Sequence, residues 1–387
     1  MQLYRVGEVR ERERLLERLD VRHGGVKIMA RKMRTLWIYI RGIRTPAANI
    51  LKQDALSIGA DLAVPGGVIT CEKERVDALL IATEAQLRIL ARKEKAQPFG
   101  LKKLAGELEG FLNEPMQAVR IMGVLNANED SFYAGSRFMG AAAVERIEGM
   151  IGEGAQIVDI GGVSSRPGSE PVPPAEERAR VRPLCDAVRE HRLHEKALFS
   201  IDSYTPEVIR LALESGFGLV NDITGASDDA VVRLAAEYGA KLCIMHMQGT
   251  PKVMQQNPGY DDVTAEVDAF FAERIARCES LGLSRDRIIL DVGIGFGKTL
   301  EHNLTLLRNH ATFLRHGCEL LIGASRKSMI DRIIPTPTEA RLPGTLAIHL
   351  KAVDNGATIV RCHDVAEHRQ ALAVWEAMNR LSSEDTV

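Results

Sequence analysis

The chain has 387 residues, of which 45% are hydrophobic, and its 50 lysine and arginine residues nearly balance 52 aspartate and glutamate residues, for a net charge of −2. That balance argues against a general nucleic-acid binder, no apolar run is long enough to span a bilayer, and six scattered cysteines without a CxxC pair argue against a zinc framework or a disulfide scaffold. The first residues lack the apolar core of a signal peptide, so we expect a cytoplasmic protein with no membrane and no nucleic-acid partner.

The length exceeds that of one small domain and fits a large α/β domain with a smaller companion. The N-terminal part has its own pattern: a charged helical run at 9–18, an apolar strand-like segment at 36–40, and helical patterns at 47–56 and 84–95. We predict an accessory α/β or α+β domain over residues 1–117, with no motif that assigns it a role.

The remainder of the chain alternates short apolar runs with helical patterns. The eight runs are residues 119–125, 156–160, 197–201, 218–220, 241–245, 287–290, 320–323 and 358–360. The clearest helical patterns are 141–152, 206–215, 229–238, 263–281 and 345–355. Eight such units predict a (β/α)8 TIM barrel over residues 118–387. A doubly wound open sheet is the alternative, ranked lower because the count reaches eight and polar clusters follow nearly every run.

Polar side chains follow the predicted strands at the positions where the loops of a barrel carry the chemistry. Four runs are closed by a carboxylate: Asp159, Asp202, Asp222 and Asp291. The last two runs end in the cationic motifs Ser325-Arg326-Lys327 and Arg361-Cys362-His363. Ionised carboxylates suit a planar heterocycle rich in N–H donors, and cations suit a phosphate-type anion. We therefore predict that the four carboxylates share one mouth with these cations and bind an anionic substrate that carries such a ring.

Three other loop motifs allow more than one interpretation. The segment 126–132, Asn-Ala-Asn-Glu-Asp-Ser-Phe, offers oxygens for Mg²⁺, or is a turn that caps its own backbone. His246, which lies among methionines, is more typical of a core histidine than of a ligand. The glycine-rich segment 293–298 lacks the Walker spacing, and we interpret it as a mobile loop that presents Phe296 and Lys298.

In this order, the motifs resemble those of the dihydropteroate synthase family, of the pterin-binding barrel superfamily, over residues 119–381. The resemblance rests on Ile121-Met122-Gly123-Val124-Leu125-Asn126, Asp159-Ile160-Gly161-Gly162, Ser165-Arg166-Pro167-Gly168, Ser200-Ile201-Asp202, Val220-Asn221-Asp222-Ile223, Met245-His246-Met247-Gln248-Gly249, Gly295-Phe296-Gly297-Lys298, Ser325-Arg326-Lys327-Ser328 and Arg361-Cys362-His363-Asp364-Val365. It implies a reaction of folate biosynthesis, in which the amine of p-aminobenzoate displaces diphosphate from 6-hydroxymethyl-7,8-dihydropterin diphosphate by an SN1-like path.

The resemblance also implies a role for each matching residue, and a homodimer. The pterin would be held by Asp202, Asn221, Asp291 and Lys327. The diphosphate would be bound by Asn126, Arg361 and His363, with Asn126 also a ligand of the Mg²⁺ cofactor. The p-aminobenzoate position would be bordered by Ser165, Arg166, Pro167, Phe296 and Ser328. Catalysis would depend on Asp202, Asp291, Lys327, Arg361 and His363.

The chain departs from the family pattern mainly in its loops. Asn128-Glu129 stands where the family usually has Thr-Pro, Ala134 replaces an aspartate, Ser165 replaces a threonine, Val163 occupies a position that is often glutamate, and Val292 replaces a proline. We expect the chemistry to be retained and the loop closure over p-aminobenzoate to differ.

Two alternatives to the synthase remain open, as does the role of the accessory domain. One is a pterin-dependent methyltransferase, which needs no diphosphate site. The other is a non-catalytic pterin-binding scaffold, suggested by the altered first loop and the extra domain. The accessory domain would stabilise a dimer, cover the barrel mouth, or bind another folate-pathway enzyme.

Overall fold

The computed structural model describes residues 11–113, 118–127, 136–163, 169–170 and 172–379. These residues form two compact units. One comprises 11–113 with 374–379, and the other comprises the described residues of 118–373. Within the described residues, each helix is too short or too polar to cross a membrane.

Within residues 11–113 the chain forms a three-stranded antiparallel sheet and five α-helices. The strands are β1 (Thr35–Arg44), β2 (Asp61–Ala63) and β3 (Arg75–Thr83), in the spatial order β1-β3-β2. The helices are α1 (Arg12–Glu17), α2 (His23–Ala30), α3 (Thr45–Leu56), α4 (Glu84–Glu94) and α5 (Leu101–Gly110). The strand expected at 36–40 and the helices expected at 47–56 and 84–95 are present, and β2, β3, α2 and α5 are additional.

Side-chain alternation in β3 makes one face of this sheet apolar, because successive side chains of a strand point to opposite faces. The buried positions are Val76, Ala78, Leu80 and Ala82. Leu51 of α3 and Leu87 and Leu90 of α4 pack into the same core. Helix α4 begins with a capping box, in which the Thr83 hydroxyl accepts a hydrogen bond from the Gln86 N–H and the Gln86 side chain accepts one from the Thr83 N–H.

The second unit contains a closed barrel of eight parallel strands. They are β4 (Arg120–Asn126), β5 (Ile157–Gly161), β6 (Leu198–Asp202), β7 (Leu219–Asp222), β8 (Lys241–Met245), β9 (Ile288–Asp291), β10 (Glu319–Ile322) and β11 (Ile359–Cys362). Each strand pairs with the next, and β11 pairs with β4, with Ile359 opposite Arg120. The predicted TIM barrel is confirmed, and all eight apolar runs are strands whose ends shift by two residues at most.

Helices follow the strands around the barrel. They are α6 (Ser136–Glu153), α7 (Pro174–Glu190), α8 (Pro206–Glu214), α9 (Asp229–Glu237), α10 (Val263–Ser280), α11 (Leu300–Arg308), α12 (Ser328–Ile333), α13 (Leu342–Asp354) and α14 (Val365–Asn379). All five helical patterns predicted for this region are present.

One layer of apolar side chains fills the barrel. Each strand contributes one residue to it: Met122, Ile157, Leu198, Leu219, Cys243, Ile289, Leu321 and Ile359. Because this layer closes the interior, side chains nearer the carboxyl ends of the strands form the floor of the mouth. Residues two positions further along each strand face the same interior, whereas residues three positions further face the outer helices.

Candidate active site

Four of the eight next inward-facing positions carry a charged or amide side chain. Two residues beyond the apolar layer lie Asp159, Asn221, Asp291 and Arg361, on β5, β7, β9 and β11. Asp202, Asn126 and His363 each lie four residues after the layer residue of the same strand, so they face the same interior one level closer to the opening. The strand period therefore places six of the predicted residues, together with Asp159, around one mouth.

Arg361 is the centre of the hydrogen-bond network in this mouth. Its Nε donates to Asp159 Oδ2 at 2.7 Å, and its Nη2 donates to Asp202 Oδ2 at 2.7 Å. The Nδ2 of Asn221 donates to the same Asp159 oxygen at 3.2 Å. Burial alone would lower the pKa of Arg361, but the two carboxylates outweigh it and raise that pKa, so the guanidinium stays charged.

The surroundings of Asp202 contain this guanidinium and a further buried carboxylate, that of Glu177. Burial raises the pKa of Asp202 to about 7; Arg361 acts against that rise, while Asp159 and Glu177 add to it. Glu177 accepts hydrogen bonds from the hydroxyls of Ser203 and Thr205, each at 2.6 Å. Burial and the neighbouring carboxylates thus outweigh the single nearby cation, and the pKa of Asp202 lies near neutral pH.

Asp291 and Lys327 occupy the other side of the mouth. Asp291 Oδ1 accepts from the N–H of Gly293 at 2.8 Å, and burial raises the pKa of this carboxyl. Lys327 Nζ donates to the carbonyl oxygen of Ile294 and lies 4.3 Å from the centroid of the Phe296 ring. Burial lowers the pKa of Lys327 to about 8, against the opposing effect of Asp291.

The two cationic motifs meet each other through hydrogen bonds. Ser325 Oγ lies 2.9 Å from His363 Nδ1 and accepts from the His363 N–H at 3.3 Å. Arg326 has a left-handed backbone, with φ of 56°, and its guanidinium forms an ion pair with Asp364. Of these cationic side chains, Arg326 is therefore engaged with a loop partner rather than with the carboxylates of the mouth.

Asp222 does not share the mouth with the other three carboxylates, and this part of the prediction is wrong. Its Oδ1 accepts from the N–H and the hydroxyl of Thr224, each at 2.7 Å, and its Oδ2 accepts from the Ala226 N–H at 2.9 Å. The reason is strand period, since Asp222 lies three positions after the apolar layer at Leu219 and faces outward. It stabilises the turn that follows β7.

His246 is buried and pairs with Lys298 rather than opening into the mouth. Its Nδ1 lies 3.0 Å from Lys298 Nζ, which also donates to the carbonyl oxygens of His246 and Phe296. Burial lowers the pKa of His246 to about 3 and that of Lys298 to about 7. The interpretation of His246 as a core histidine agrees with this packing. Lys298 also stabilises the glycine-rich loop through its hydrogen bond to the Phe296 carbonyl oxygen.

A cavity of about 510 Å³ opens beside Asp202. Ile223 and Met247 supply apolar walls, and Tyr204 and Lys252 line it as well. Of the residues predicted for the site and described in the structure, only Asp202 lines this cavity. A planar ring of pterin size could therefore approach Asp202 from this side.

The structure describes only some of the remaining predicted residues. Asn126 is the last residue of β4 and pairs in register with Gly161. Ser328 is the exposed first residue of α12. The predicted Ser165, Arg166 and Pro167, and the first-loop segment 128–135, lie outside the described residues. Among the described residues no group of three or more His, Cys, Asp or Glu side chains is arranged to hold a metal ion.

Three side chains of this region have roles that were not predicted. Asp159, which was expected in the mouth, anchors Arg361, and its spacing of two residues after the apolar Ile157 is the signal for its inward direction. Glu177 supports the loop that carries Asp202, and no local sequence signal on α7 marks it. Lys298 was expected only as a side chain presented by the glycine-rich loop, and no local sequence signal shows that it is buried beside His246.

Residues 122–363 match the model of the pterin-binding enzyme family. The bifunctional dihydropteroate synthase/dihydropteroate reductase of Helicobacter pylori is 40% identical over 340 residues, which is 88% of this chain and 89% of the relative. The dihydropteroate synthase of Escherichia coli is 43% identical over 258 residues, 66% of this chain and 90% of the relative. The solved dihydropteroate synthase of Thermus thermophilus, in complex with 4-aminobenzoate, superposes with a TM-score of 0.60 at 41% identity over 68% of this chain and 95% of that one. The chain therefore belongs to the pterin-binding enzymes and, within them, to the dihydropteroate synthases.

Proposed function

We propose that the mouth around Arg361 performs the synthase reaction, with the pterin held by Asp202, Asn221, Asp291 and Lys327. The observation that carries this proposal is the Arg361 network, in which one buried cation is shared by Asp159 and Asp202 at the carboxyl ends of the strands. The two carboxylates Asp202 and Asp291 accept from the N–H groups of the pterin ring, and Lys327 donates to its acceptor side.

The leaving group is bound on the cationic side. Arg361 uses Nε and Nη2 for its two carboxylates, and its Nη1 has no hydrogen-bond partner among the described residues. Those Nη1 donors, with His363 and Asn126, bind the diphosphate oxygens. Asn126 would supply one amide oxygen to Mg²⁺, an ion that is usually held by few protein ligands together with substrate phosphates and water. The metal, when bound, neutralises charge on the diphosphate.

The chemistry follows from this arrangement. The methylene carbon–oxygen bond breaks with its electron pair leaving on the diphosphate, and the positive charge spreads into the pterin ring. Asp202 and Asp291 stabilise that charge electrostatically. The amine of p-aminobenzoate, bordered by Phe296, Ser328 and the segment 165–167, forms the new carbon–nitrogen bond and releases one proton.

A matched pair of variants tests the assignment. Asp202→Asn removes an inward-facing carboxylate, and Asp222→Asn removes an outward-facing one from the neighbouring strand. We expect Asp202→Asn and Lys327→Ala to abolish pteroate formation with little change in thermal midpoint, and Asp222→Asn to lower the midpoint while retaining turnover. Binding of the pterin diphosphate without turnover in the folded wild-type protein would favour the scaffold alternative instead, and methyl transfer to a corrinoid would favour the methyltransferase.

The length of the match to one relative favours a second activity. The Helicobacter pylori relative is named as both a synthase and a dihydropteroate reductase, and its 340 matched residues exceed the length of the barrel, so they include part of residues 1–113. We propose that this chain also reduces dihydropteroate, with the first unit contributing to it. Reduction of one C=N bond needs a hydride and a proton, and the hydride comes from a reduced nicotinamide or flavin nucleotide.

The full chain tests this second activity without truncation. Dihydropteroate-dependent oxidation of the nucleotide should appear in the wild-type protein and persist in Asp202→Asn, because the synthase site is then disabled. Absence of oxidation with either nucleotide class would refute it, and loss of both activities in Asp202→Asn would place the reduction in the barrel.

The remaining expectations are proposals as well. By resemblance we propose a cytoplasmic homodimer built from an accessory domain over residues 1–117 and a catalytic domain over 118–387. Light scattering of the purified full chain gives the mass that decides between monomer and dimer.

A further inference from the structure

A chain of hydrogen bonds behind the mouth joins the loop after β10 to the loop after β11. The backbone N–H of Ala324 donates to Nε2 of His349 at 3.0 Å. The Nδ1 of His349 lies 2.9 Å from Nε2 of His368, and Nδ1 of His368 lies 2.6 Å from the carbonyl oxygen of Asp364. His349 belongs to α13 and His368 to α14, so two outer helices supply the link between two inner loops.

The two ends of this chain fix its direction. A backbone N–H can only donate, so Nε2 of His349 accepts and its proton lies on Nδ1. That proton is donated to Nε2 of His368, which must then carry its own proton on Nδ1 and donate it to the carbonyl oxygen of Asp364. Every donor and acceptor is used once, and both rings are neutral Nδ1–H tautomers.

Burial keeps the pair in this one arrangement. Each histidine is 1% exposed. Burial lowers the pKa of both rings, and the His368 ring and Lys327 lower it further for His349. A proton added to either ring would set two N–H groups against each other, so charging the pair breaks the chain.

The residues joined by this chain adjoin those assigned to the substrate. Ala324 lies three positions before Lys327, and Asp364 directly follows His363. Two further contacts link the loops, Ser325 to His363 and Arg326 to Asp364, but the Arg326 side chain is 34% exposed and open to water. Of these three links between the loops, the histidine pair is the one that is wholly buried.

We propose that His349 and His368 are positioning residues of the synthase site, which hold the loop of Lys327 and the loop of Arg361 and His363 at a fixed separation. The proposal rests on the substrate roles given above. A displacement of about 1 Å between the pterin-binding and diphosphate-binding groups would suffice to lower the rate roughly 100-fold.

Kinetics of paired variants test it. His349→Leu removes both links of the ring, whereas His349→Gln keeps an acceptor for the Ala324 N–H and an amide N–H that can be donated to His368 Nε2. We expect kcat/KM for the pterin diphosphate to fall roughly 10- to 100-fold in His349→Leu, with a raised KM, and to return to within about threefold of the wild type in His349→Gln. His368→Leu should match His349→Leu, and the double variant should be no worse than either, because one break opens the whole chain.

A third buried histidine of the barrel unit is the control. His310 is fully buried and lies outside the mouth, in the 3₁₀ segment between α11 and β10. His310→Leu should leave kcat and KM unchanged. A purely structural role for His349 would lower the folded fraction and leave the KM of the surviving enzyme unaltered, and that result, or additive losses in the double variant, would overturn the proposal. An inactive wild-type protein would instead refute the proposed function.

The tautomers give a test that needs no variant. Nitrogen-15 NMR of histidine-labelled full-length protein should show two neutral rings protonated on Nδ1, which His349→Leu reduces to one or none. Observation of Nε2–H tautomers at both positions would overturn the chain even if the leucine variants fail to fold.

Discussion

Replacement of Arg361 by methionine separates the charge of the mouth from its packing. In the native protein the guanidinium neutralises Asp159, which is 0% exposed, and the Asp202 side chain, which is 12% exposed. Arg361→Met keeps an unbranched side chain and leaves two carboxylates facing each other without a cation. Loss of one partner from a buried pair costs about 3–5 kcal/mol.

The size of the loss should depend on pH, because the variant can take up a proton. An aspartate with an ordinary pKa of about 4 needs about 5 kcal/mol to be protonated at pH 8 and about 1.5 kcal/mol at pH 5. The loss of stability at each pH cannot exceed the cost of protonating one aspartate, because protonation removes the unpaired charge. We therefore expect Arg361→Met to lower the thermal midpoint of the barrel by roughly 6–20 °C at pH 8, and by less than half as much at pH 5.

Arg120 at the opposite end of the barrel is the matched control. Its side chain is 23% exposed, the same as that of Arg361, and it pairs with Glu319. Glu319 also pairs with Lys241, so Arg120→Met leaves no carboxylate unpaired. Its loss should be about 1 kcal/mol at both pH values, with pteroate formation retained, whereas Arg361→Met loses turnover. Equal midpoint losses for Arg361→Met at pH 5 and pH 8, or an Arg120→Met variant that is as unstable as Arg361→Met, would refute the reasoning.

Three further predictions concern buried titratable groups. Because the pKa of Asp202 is about 7, the affinity for a pterin diphosphate analogue should rise about tenfold per pH unit between pH 5.5 and 7 and then level off; calorimetry of Asp202→Asn should show no such rise. The folded pKa of Lys298, about 7, lies below its ordinary 10.5, so the wild-type protein should lose stability as pH falls from 10 to 7, and thermal melts of Lys298→Met should lack that slope. Burial and the nearby Asp54 raise the pKa of Glu94 to about 7, so stability should be lost as pH rises through 7. Glu94→Met should then raise the free energy of unfolding at pH 8 by up to about 3 kcal/mol and change it little at pH 5; an equal effect at both pH values would contradict this.

The barrel was predictable because its strands are buried on both faces. Such strands appear in sequence as short continuous apolar runs, and the polar residues that end them mark the mouth. In the first unit, β3 is missing from the predicted elements because the apolar Leu79 and Ile81 lie on its less buried face, so its sequence reads as a continuous apolar run although its burial alternates. A continuous apolar run in the sequence therefore indicates a barrel strand in the second unit, but it hides the alternating burial of β3 in the first.

Local sequence shows which residues end a strand but gives less on which way they point. Asp222 and Asp202 look alike as strand ends, and only their spacing from the apolar layer separates them. The contact of Arg361 with Asp159 joins the last strand of the barrel to the second, a pairing that needs the closed barrel before it can be seen. The left-handed turn at Arg326 is likewise invisible, since arginine has no preference for that conformation.

The two-residue spacing between apolar layer and mouth limits how such a site can evolve. Exchange of Arg361 for another side chain alters the mouth alone, since Ile359 continues to fill the interior. Deletion of Val360, which lies between them, would instead bring Cys362 to the mouth and turn Arg361 towards the outer helices. Descendants of this barrel can therefore acquire new chemistry by substitution at these positions, while changes of strand length are confined to the loops.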